Sequence, residues 1–168
     1  HECDGGLKGT RYRVQPYPII KEIAHAVALD EKRSKFRPLL VKTPYLPTQT
    51  KRHEVWFPGA HADVGGGYAD SNDLAGISLN WMINLLKDHQ LFSGGIPHVY
   101  EAHDGLAHWS MGNPPANAFS DFENRHVPTD AVMHNSVEQR KQLAAAPIRK
   151  TEKTLQPYEL VLENREGI

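Results

Sequence analysis

The sequence predicts an α/β fold, in which a short strand leads through a polar loop into an amphipathic helix. Residues 54–57 are rich in β-branched and aromatic side chains, a composition typical of a strand, and Pro58-Gly59 ends the run. A histidine, an aspartate and three glycines follow, and apolar side chains then recur at helical spacing over residues 74–88. Loops that follow strands in α/β proteins are where catalytic side chains tend to be presented. The loop after residues 54–57 is therefore the first place to look for chemistry.

Length and charge limit the possible functions. The 168 residues correspond to one ordinary domain, and a net charge of −1 gives no bulk attraction to nucleic acid or to an anionic membrane. Cys3 is the single cysteine, so no intrachain disulfide is possible. No window of 18 apolar residues predicts a membrane span, and the first residues lack the apolar core of a signal peptide. We expect a protein that is cytoplasmic or secreted without a Sec signal.

Two tryptophans mark the predicted core. Trp56 lies in the predicted strand and is expected to be buried there. Trp81 shares one face of the 74–88 helix with Leu74, Ile77 and Leu85. We therefore expect Trp81 to anchor this helix against the sheet.

A second helix is predicted over residues 18–29. Its apolar residues recur at i, i+3 and i+4, and Pro18 suits a first helical turn, where no N–H is needed. The charged residues 30–33 are expected to close this helix in contact with solvent.

The remaining segments carry weaker patterns. Residues 39–41 could form a short strand, residues 136–145 a short helix, and residues 157–162 a terminal strand. Residues 94–128 show little periodicity, and so long an irregular region needs packing against something else to be ordered.

Several blocks resemble a known family. Residues 25–38 resemble a block of the form H-A-x-A-x-D-E-x-R-x-x-F-x-P, and residues 54–68 resemble its partner block, V-W-F-x-G-x-H-x-D-V-G-G-G-Y. Residues 74–86 are similar to the helix that follows, while residues 103–104 and 134–140 are similar to later blocks, H-D and H-x-S-V-x-x-R. The family is the α/β-hydrolase phospholipase domain typified by the type VI secretion lipase effectors.

The resemblance implies a serine esterase that acts on lipid or other esters without a cofactor. In such folds the triad follows the order Ser, Asp or Glu, then His, and the serine lies in a Gly-x-Ser-x-Gly elbow. His61 matches the histidine of the central block, so the resemblance makes it the general base.

The sequence departs from the family because no Gly-x-Ser-x-Gly occurs in it, and the family's Asp-containing strand end is absent as well. We therefore expect the C-terminal portion of an α/β-hydrolase fold, lacking the strand–elbow–helix of the nucleophile. It would be one segment, 1–168, with hydrolase-like blocks at 17–90 and 97–145 and an irregular tail at 146–168. The expected partner is the missing N-terminal hydrolase segment or another chain, and the isolated chain is expected to be inactive.

Other residues of these blocks have competing interpretations. Asp63 is expected to order its loop, through backbone N–H groups of Gly65, Gly66 and Gly67, rather than to belong to a triad. These glycines are expected to provide the backbone freedom for a tight turn. His134 is the second candidate for a catalytic base, and its alternative is a packing and hydrogen-bonding role at the lid of the site.

Two further functions remain open. His61, Asp63, His103 and Asp104 have the atoms to bind a divalent ion in a metal-dependent hydrolase. No Cys pair and no His-Glu-x-x-His supports this, so no metal site is expected. The second alternative is a non-catalytic binding or assembly module derived from the same fold.

Overall fold

The computed structural model describes residues 18–41, 46–111, 121–143, 147–151 and 154–157. Within these ranges the chain forms a parallel sheet with helices, in keeping with the predicted α/β class. None of the helices in the described ranges is long and apolar enough to cross a membrane.

In the part of the chain that the structure describes, the central sheet has three strands, in the order β1-β2-β4. Strands β1 (Glu22–Ala28) and β2 (Lys51–Phe57) run parallel, with Ala28 opposite Phe57, and β2 pairs in parallel with the two-residue β4 (Val132–Met133). Because all three strands point the same way, their carboxyl ends meet at one edge of the sheet. The predicted strand at residues 54–57 is thus confirmed and begins three residues earlier.

The described residues also form a second sheet, with strands in the order β3-β5-β6. Strand β3 (Ala107–His108) is parallel to β5 (Pro147–Thr151), which is antiparallel to β6 (Thr154–Pro157). The strand predicted at residues 157–162 falls, apart from Pro157, outside the described residues.

Within the described residues, three α-helices accompany the central sheet. Helix α1 (His61–Gly65) and helix α2 (Asp73–Leu86) follow β2, and helix α3 (Asn135–Lys141) follows β4. A 3-10 turn, Lys87–His89, extends α2, so the helix predicted over 74–88 is confirmed. The helix predicted over 136–145 is confirmed as far as Lys141, and residues 144–146 are outside the described part.

The helix predicted over residues 18–29 is wrong, since this segment is strand β1. Its alanines at 24, 26 and 28 line one cleft, while Val27 joins the core on the opposite face. The side chains therefore alternate between the two faces, as in any strand. Because a buried parallel strand is apolar on both faces, its sequence also matches a loose helical spacing. Residues 39–41, predicted as a possible strand, are irregular.

Each face of the sheet has its own core. Phe57 packs with Val64, Leu74 and Ile77 under α1 and α2, and neighbouring Trp56 packs on the other face, toward α3. Both aromatic side chains are buried, as predicted for Trp56. Trp81 is partly buried and meets Phe57 edge to face at 5.3 Å, which confirms its predicted place between helix and sheet.

Candidate active site at the carboxyl ends of β1 and β2

Backbone hydrogen bonds join the segments that leave β1 and β2. The N–H of Asp30 donates to the carbonyl of Gly59 at 3.0 Å, and the N–H of Gly59 donates to Asp30 Oδ2 at 2.6 Å. Gly59 has φ of +104°, and a Cβ there would collide with the side chain of Asp63. Only glycine satisfies both conditions, so this turn fixes where the chain enters α1.

Glu31 is the buried charge that holds this edge of the sheet. Its carboxylate accepts from the N–H of His61 at 3.2 Å and from Arg33 Nε and Nη2 at 2.9 and 2.8 Å. Burial opposes its ionisation, but hydrogen bonds from Arg33 and Ser110 outweigh burial and bring the pKa of Glu31 to about 2. Glu31 is therefore an anion that ties the β1 segment to the first residue of α1.

The expectation that residues 30–33 are solvated is wrong. Asp30, Glu31 and Lys32 are 7%, 1% and 3% exposed. Lys32 donates its N–H to Ser110 Oγ at 3.0 Å, and its Nζ lies 3.1 Å from Asn124 Oδ1. These partners are distant in the sequence, so local pattern gives no sign of them.

His61 is the first residue of α1 and its side chain is exposed. Phe36 packs edge to face against the imidazole, with ring centroids 5.5 Å apart, and the Arg33 guanidinium lies 3.6 Å from the centroid of Phe36. The predicted position directly after strand β2 is confirmed, and His61 lies at the surface of a cleft. Its predicted role as a base remains a hypothesis.

The cleft beside His61 has a volume of about 640 Å³ and is mostly apolar. It lies between β1 and helices α1 and α2. Its apolar lining includes Ala24, Ala26, Ala28, Val64, Leu79 and Met82. Such a surface suits hydrocarbon and offers little to a polar or charged group.

Asp63, two residues after His61, is buried and fixes the turn. Its Oδ2 accepts from the N–H of Ala60 at 2.8 Å and from the N–H of His108 at 2.9 Å, and its Oδ1 lies 2.6 Å from His108 Nδ1. The expected partners were the glycine N–H groups, but the N–H of Gly67 donates to Asn72 at 3.2 Å. Asp63 is thus placed to order the turn, through Ala60 and His108.

The glycines of this loop differ in backbone conformation. Gly66 and Gly67 have φ of +79° and +125°, which L side chains rarely adopt, and no such value is found at Gly65. The expectation of a turn that needs glycine therefore suits two of the three positions.

His108 was not anticipated as part of this site. Its Nε2 lies 3.1 Å from Asp70 Oδ1, and the ring of Tyr68 stacks on it at 3.6 Å. His108 belongs to the two-residue strand β3 in a region without periodicity, and no motif marks it. Only the fold brings it to Asp63.

His134, the second candidate base, caps helix α3. Its Nδ1 accepts from the N–H of Ser136 at 3.2 Å and lies 2.9 Å from Ser136 Oγ, and its ring stacks on Phe57 at 4.7 Å. Burial lowers the pKa of His134. These contacts favour the packing and hydrogen-bonding interpretation over the catalytic one.

The described residues give no support to the metal hypothesis. No three His, Cys, Asp or Glu side chains of the described ranges are grouped so that they could hold a metal ion, and all four candidates lie in those ranges. Asp63 is instead engaged with His108.

Comparison with known protein families gives a match over the first half of the chain. Residues 8–85 match the family model described as "T6SS, Phospholipase effector Tle1-like, catalytic domain". The matched range includes β1, β2, α1 and most of α2, and hence Glu31, His61 and Asp63. No curated protein and no solved structure matches the chain. The resemblance seen in the sequence is therefore confirmed over residues 8–85, which are similar to the catalytic domain of Tle1-like type VI secretion phospholipase effectors.

Proposed function

We propose that this chain contributes the catalytic histidine, His61, to a serine-dependent hydrolase of lipid esters. The observation that carries the proposal is the placement of His61. Its backbone is fixed by buried Glu31 at the carboxyl end of β2, while its imidazole is exposed beside an apolar cleft. A general base needs a fixed backbone and an accessible ring, and a lipid substrate needs apolar surface nearby. The phospholipase family match supports the substrate class.

The proposed reaction is acyl transfer through a covalent intermediate. His61 takes the proton of a serine hydroxyl while the serine oxygen attacks the ester carbonyl carbon. The tetrahedral intermediate collapses to an acyl-serine, and the imidazolium gives its proton to the leaving alcohol. Water then attacks the acyl-serine by the same route, which releases the carboxylic acid and restores the serine.

We propose that the nucleophile comes from the missing N-terminal hydrolase segment or from a partner chain, because this sequence has no Gly-x-Ser-x-Gly. The chain would then be the C-terminal portion of an α/β-hydrolase fold. The nearby carboxylates are engaged elsewhere: Asp30 with Gly59, Glu31 with Arg33, and Asp63 with His108. We therefore assign the acid of the triad to the same absent part.

Ester hydrolysis by the isolated chain and by the complete protein tests this proposal. The isolated chain should turn over neither p-nitrophenyl esters nor phospholipid vesicles above the buffer rate, since it lacks an activated nucleophile. In the protein encoded by the complete reading frame, His61→Gln should lower kcat at least about 10³-fold, while His134→Gln keeps most of the activity. Turnover by the isolated chain that is lost in His61→Ala would contradict the first expectation. Full activity of His61→Gln in the complete protein would refute the assignment of the base.

A non-catalytic binding or assembly module is the second candidate. The absence of the serine elbow from this sequence favours it. A complete protein that binds phospholipid vesicles without hydrolysing them would decide for this alternative. Hydrolysis that stops with EDTA and returns with a divalent ion would instead favour the metal-dependent reaction.

A further inference from the structure

His108 lies between two carboxylates, one on each side of its ring. Nδ1 is 2.6 Å from Asp63 Oδ1, and Nε2 is 3.1 and 3.2 Å from the two oxygens of Asp70. The His108 side chain is 8% exposed, against 1% for Asp63 and 36% for Asp70. The two contacts thus differ, with Asp63 at the buried end and Asp70 at the end that reaches water.

This geometry determines the charge of the ring. Ionised carboxylates only accept hydrogen bonds, so both ring nitrogens of His108 must carry protons for both contacts to be favourable. Burial alone would lower the pKa of His108, but the hydrogen bonds and charges of Asp63 and Asp70 outweigh burial and raise it. A neutral ring would keep one N–H and turn a nitrogen lone pair toward the other carboxylate.

The two carboxylates belong to opposite ends of one segment. Asp63 lies in α1, two residues after His61, and Asp70 follows the glycine-rich turn. Between them, Gly66 and Gly67 have positive φ, and neither they nor Gly65 has any atom within 4 Å of where a Cβ would stand. A Cβ at these positions would therefore stand in open space. The N–H of Gly67 donates to Asn72 Oδ1 within the turn, and His108 contacts both ends of the segment.

We propose that His108 is a positioning residue for His61: its imidazolium bridges Asp63 and Asp70 at the two ends of the 61–70 segment, and loss of one proton breaks its contact with Asp70. The link to His61 rests on the proposed function, whereas the bridge itself does not. Asp63 is the more buried partner. The backbone N–H of His108 still donates to Asp63 after the imidazole ring has lost its proton. Loss of the ring proton therefore acts on the contact with Asp70.

Several other groups face this bridge. Tyr68 stacks on the ring, and burial, aided by the charges of Asp63 and Glu31, raises the pKa of Tyr68 to about 12. Arg33, paired with Glu31, also acts on Tyr68 through its charge. Tyr68 stays neutral and the Glu31–Arg33 pair stays ionised well above neutral pH, so within this cluster the charge that changes first as the pH rises is that of His108.

Amide hydrogen exchange of the 168-residue chain between pH 6 and pH 9 tests the bridge, with rates corrected for the intrinsic effect of pH. The bridge is complete below the pKa of His108 and is lost as the pH rises through it. We expect the corrected exchange of residues 66–70 to rise about tenfold across that transition, while residues 74–86 remain protected. The His108 ring should titrate with the same midpoint by NMR.

Three variants complete the experiment. Asp70→Asn should move both midpoints to lower pH, because one stabilising charge is removed, and His108→Gln should exchange fast at every pH. His89→Gln is the control, since His89 is an exposed histidine that bonds a single carboxylate, Glu22, at 3.1 Å. It should leave residues 66–70 unchanged.

Exchange of residues 66–70 that does not follow the His108 titration, or a midpoint unmoved in Asp70→Asn, would overturn the proposal. Asp70 is the more exposed partner, so this variant remains informative even where His108→Gln fails to fold. In the complete enzyme, Asp70→Asn should shift the high-pH limb of kcat/KM by the same amount as the NMR midpoint. An inactive complete enzyme would refute the function of His61 and leave the exchange result standing.

Discussion

Replacing Glu31 by Gln tests whether a buried anion holds the site together. The substitution keeps the size of the side chain but leaves the Arg33 guanidinium, whose side chain is 15% exposed, facing a neutral amide. It also weakens the acceptor of the His61 N–H. Breaking a buried ion pair by neutralising one partner leaves an uncompensated charge, which typically costs about 3–5 kcal/mol.

The pKa of Glu31 gives a second route to the magnitude. A fall from 4.5 to about 2 corresponds to roughly 3 kcal/mol of stabilisation of the folded chain at neutral pH, at about 1.36 kcal/mol per pKa unit. Because the folded value lies below the unfolded one, this stabilisation is present above pH 4.5 and is lost as the pH falls toward 2. About 2 kcal/mol of it should disappear between pH 5 and pH 3.

Urea denaturation followed by tryptophan fluorescence measures both effects. At pH 7, Glu31→Gln should lower the free energy of unfolding by about 3 kcal/mol, and its stability should fall less than that of the wild type between pH 5 and pH 3. Glu138→Gln is the matched control, since Glu138 is 56% exposed and pairs with Lys141 at the surface. It should change stability by less than about 0.5 kcal/mol. A free energy of unfolding of Glu31→Gln that lies within 1 kcal/mol of the wild-type value would refute the reasoning, since this is roughly the smallest cost of a buried polar group without a hydrogen-bond partner.

Two further predictions concern packing around α2. Trp81→Ala should lower the free energy of unfolding by about 3 kcal/mol, the low end for a buried aromatic, because Trp81 is partly buried against Phe57. An unchanged melting temperature would show that the contact is unimportant. Gly76→Ala should lower the free energy of unfolding by roughly 1–3 kcal/mol, since the new Cβ would collide with the Tyr100 carbonyl. This loss is expected although alanine has a better helix propensity than glycine. Gly65→Ala, where a Cβ meets nothing within 4 Å, is the control, and equal melting temperatures of the two variants would contradict this account.

The sequence predicted the segments whose pattern is local. Strand β2, helix α2 and the placement of His61 between them follow from composition, periodicity and the Pro58-Gly59 stop. Strand β1 could not be separated from a helix, because both of its faces carry apolar residues and its alanines suit either structure.

The electrostatic part of the site was not predictable from pattern. Glu31 accepts a hydrogen bond from His61, which is 30 residues away in the sequence, and His108 is hydrogen-bonded to Asp63, which is 45 residues away. Charged residues in a polar run are usually solvated, so residues 30–33 gave no warning that they are buried. Their burial depends on partners that only the folded chain supplies.

The all-parallel order of the central sheet has a consequence for how the chain folds. Strand β1 pairs with β2, and β2 with β4 at Val55–Val132, so no hairpin can start the sheet. Each pairing must close a long loop before any contact compensates the lost chain entropy, and such topologies fold slowly. During that time apolar β1 has unpaired edges, which is the condition under which chains associate. Refolding yield should therefore fall as protein concentration rises, and slow dilution at low concentration should recover the most native chain.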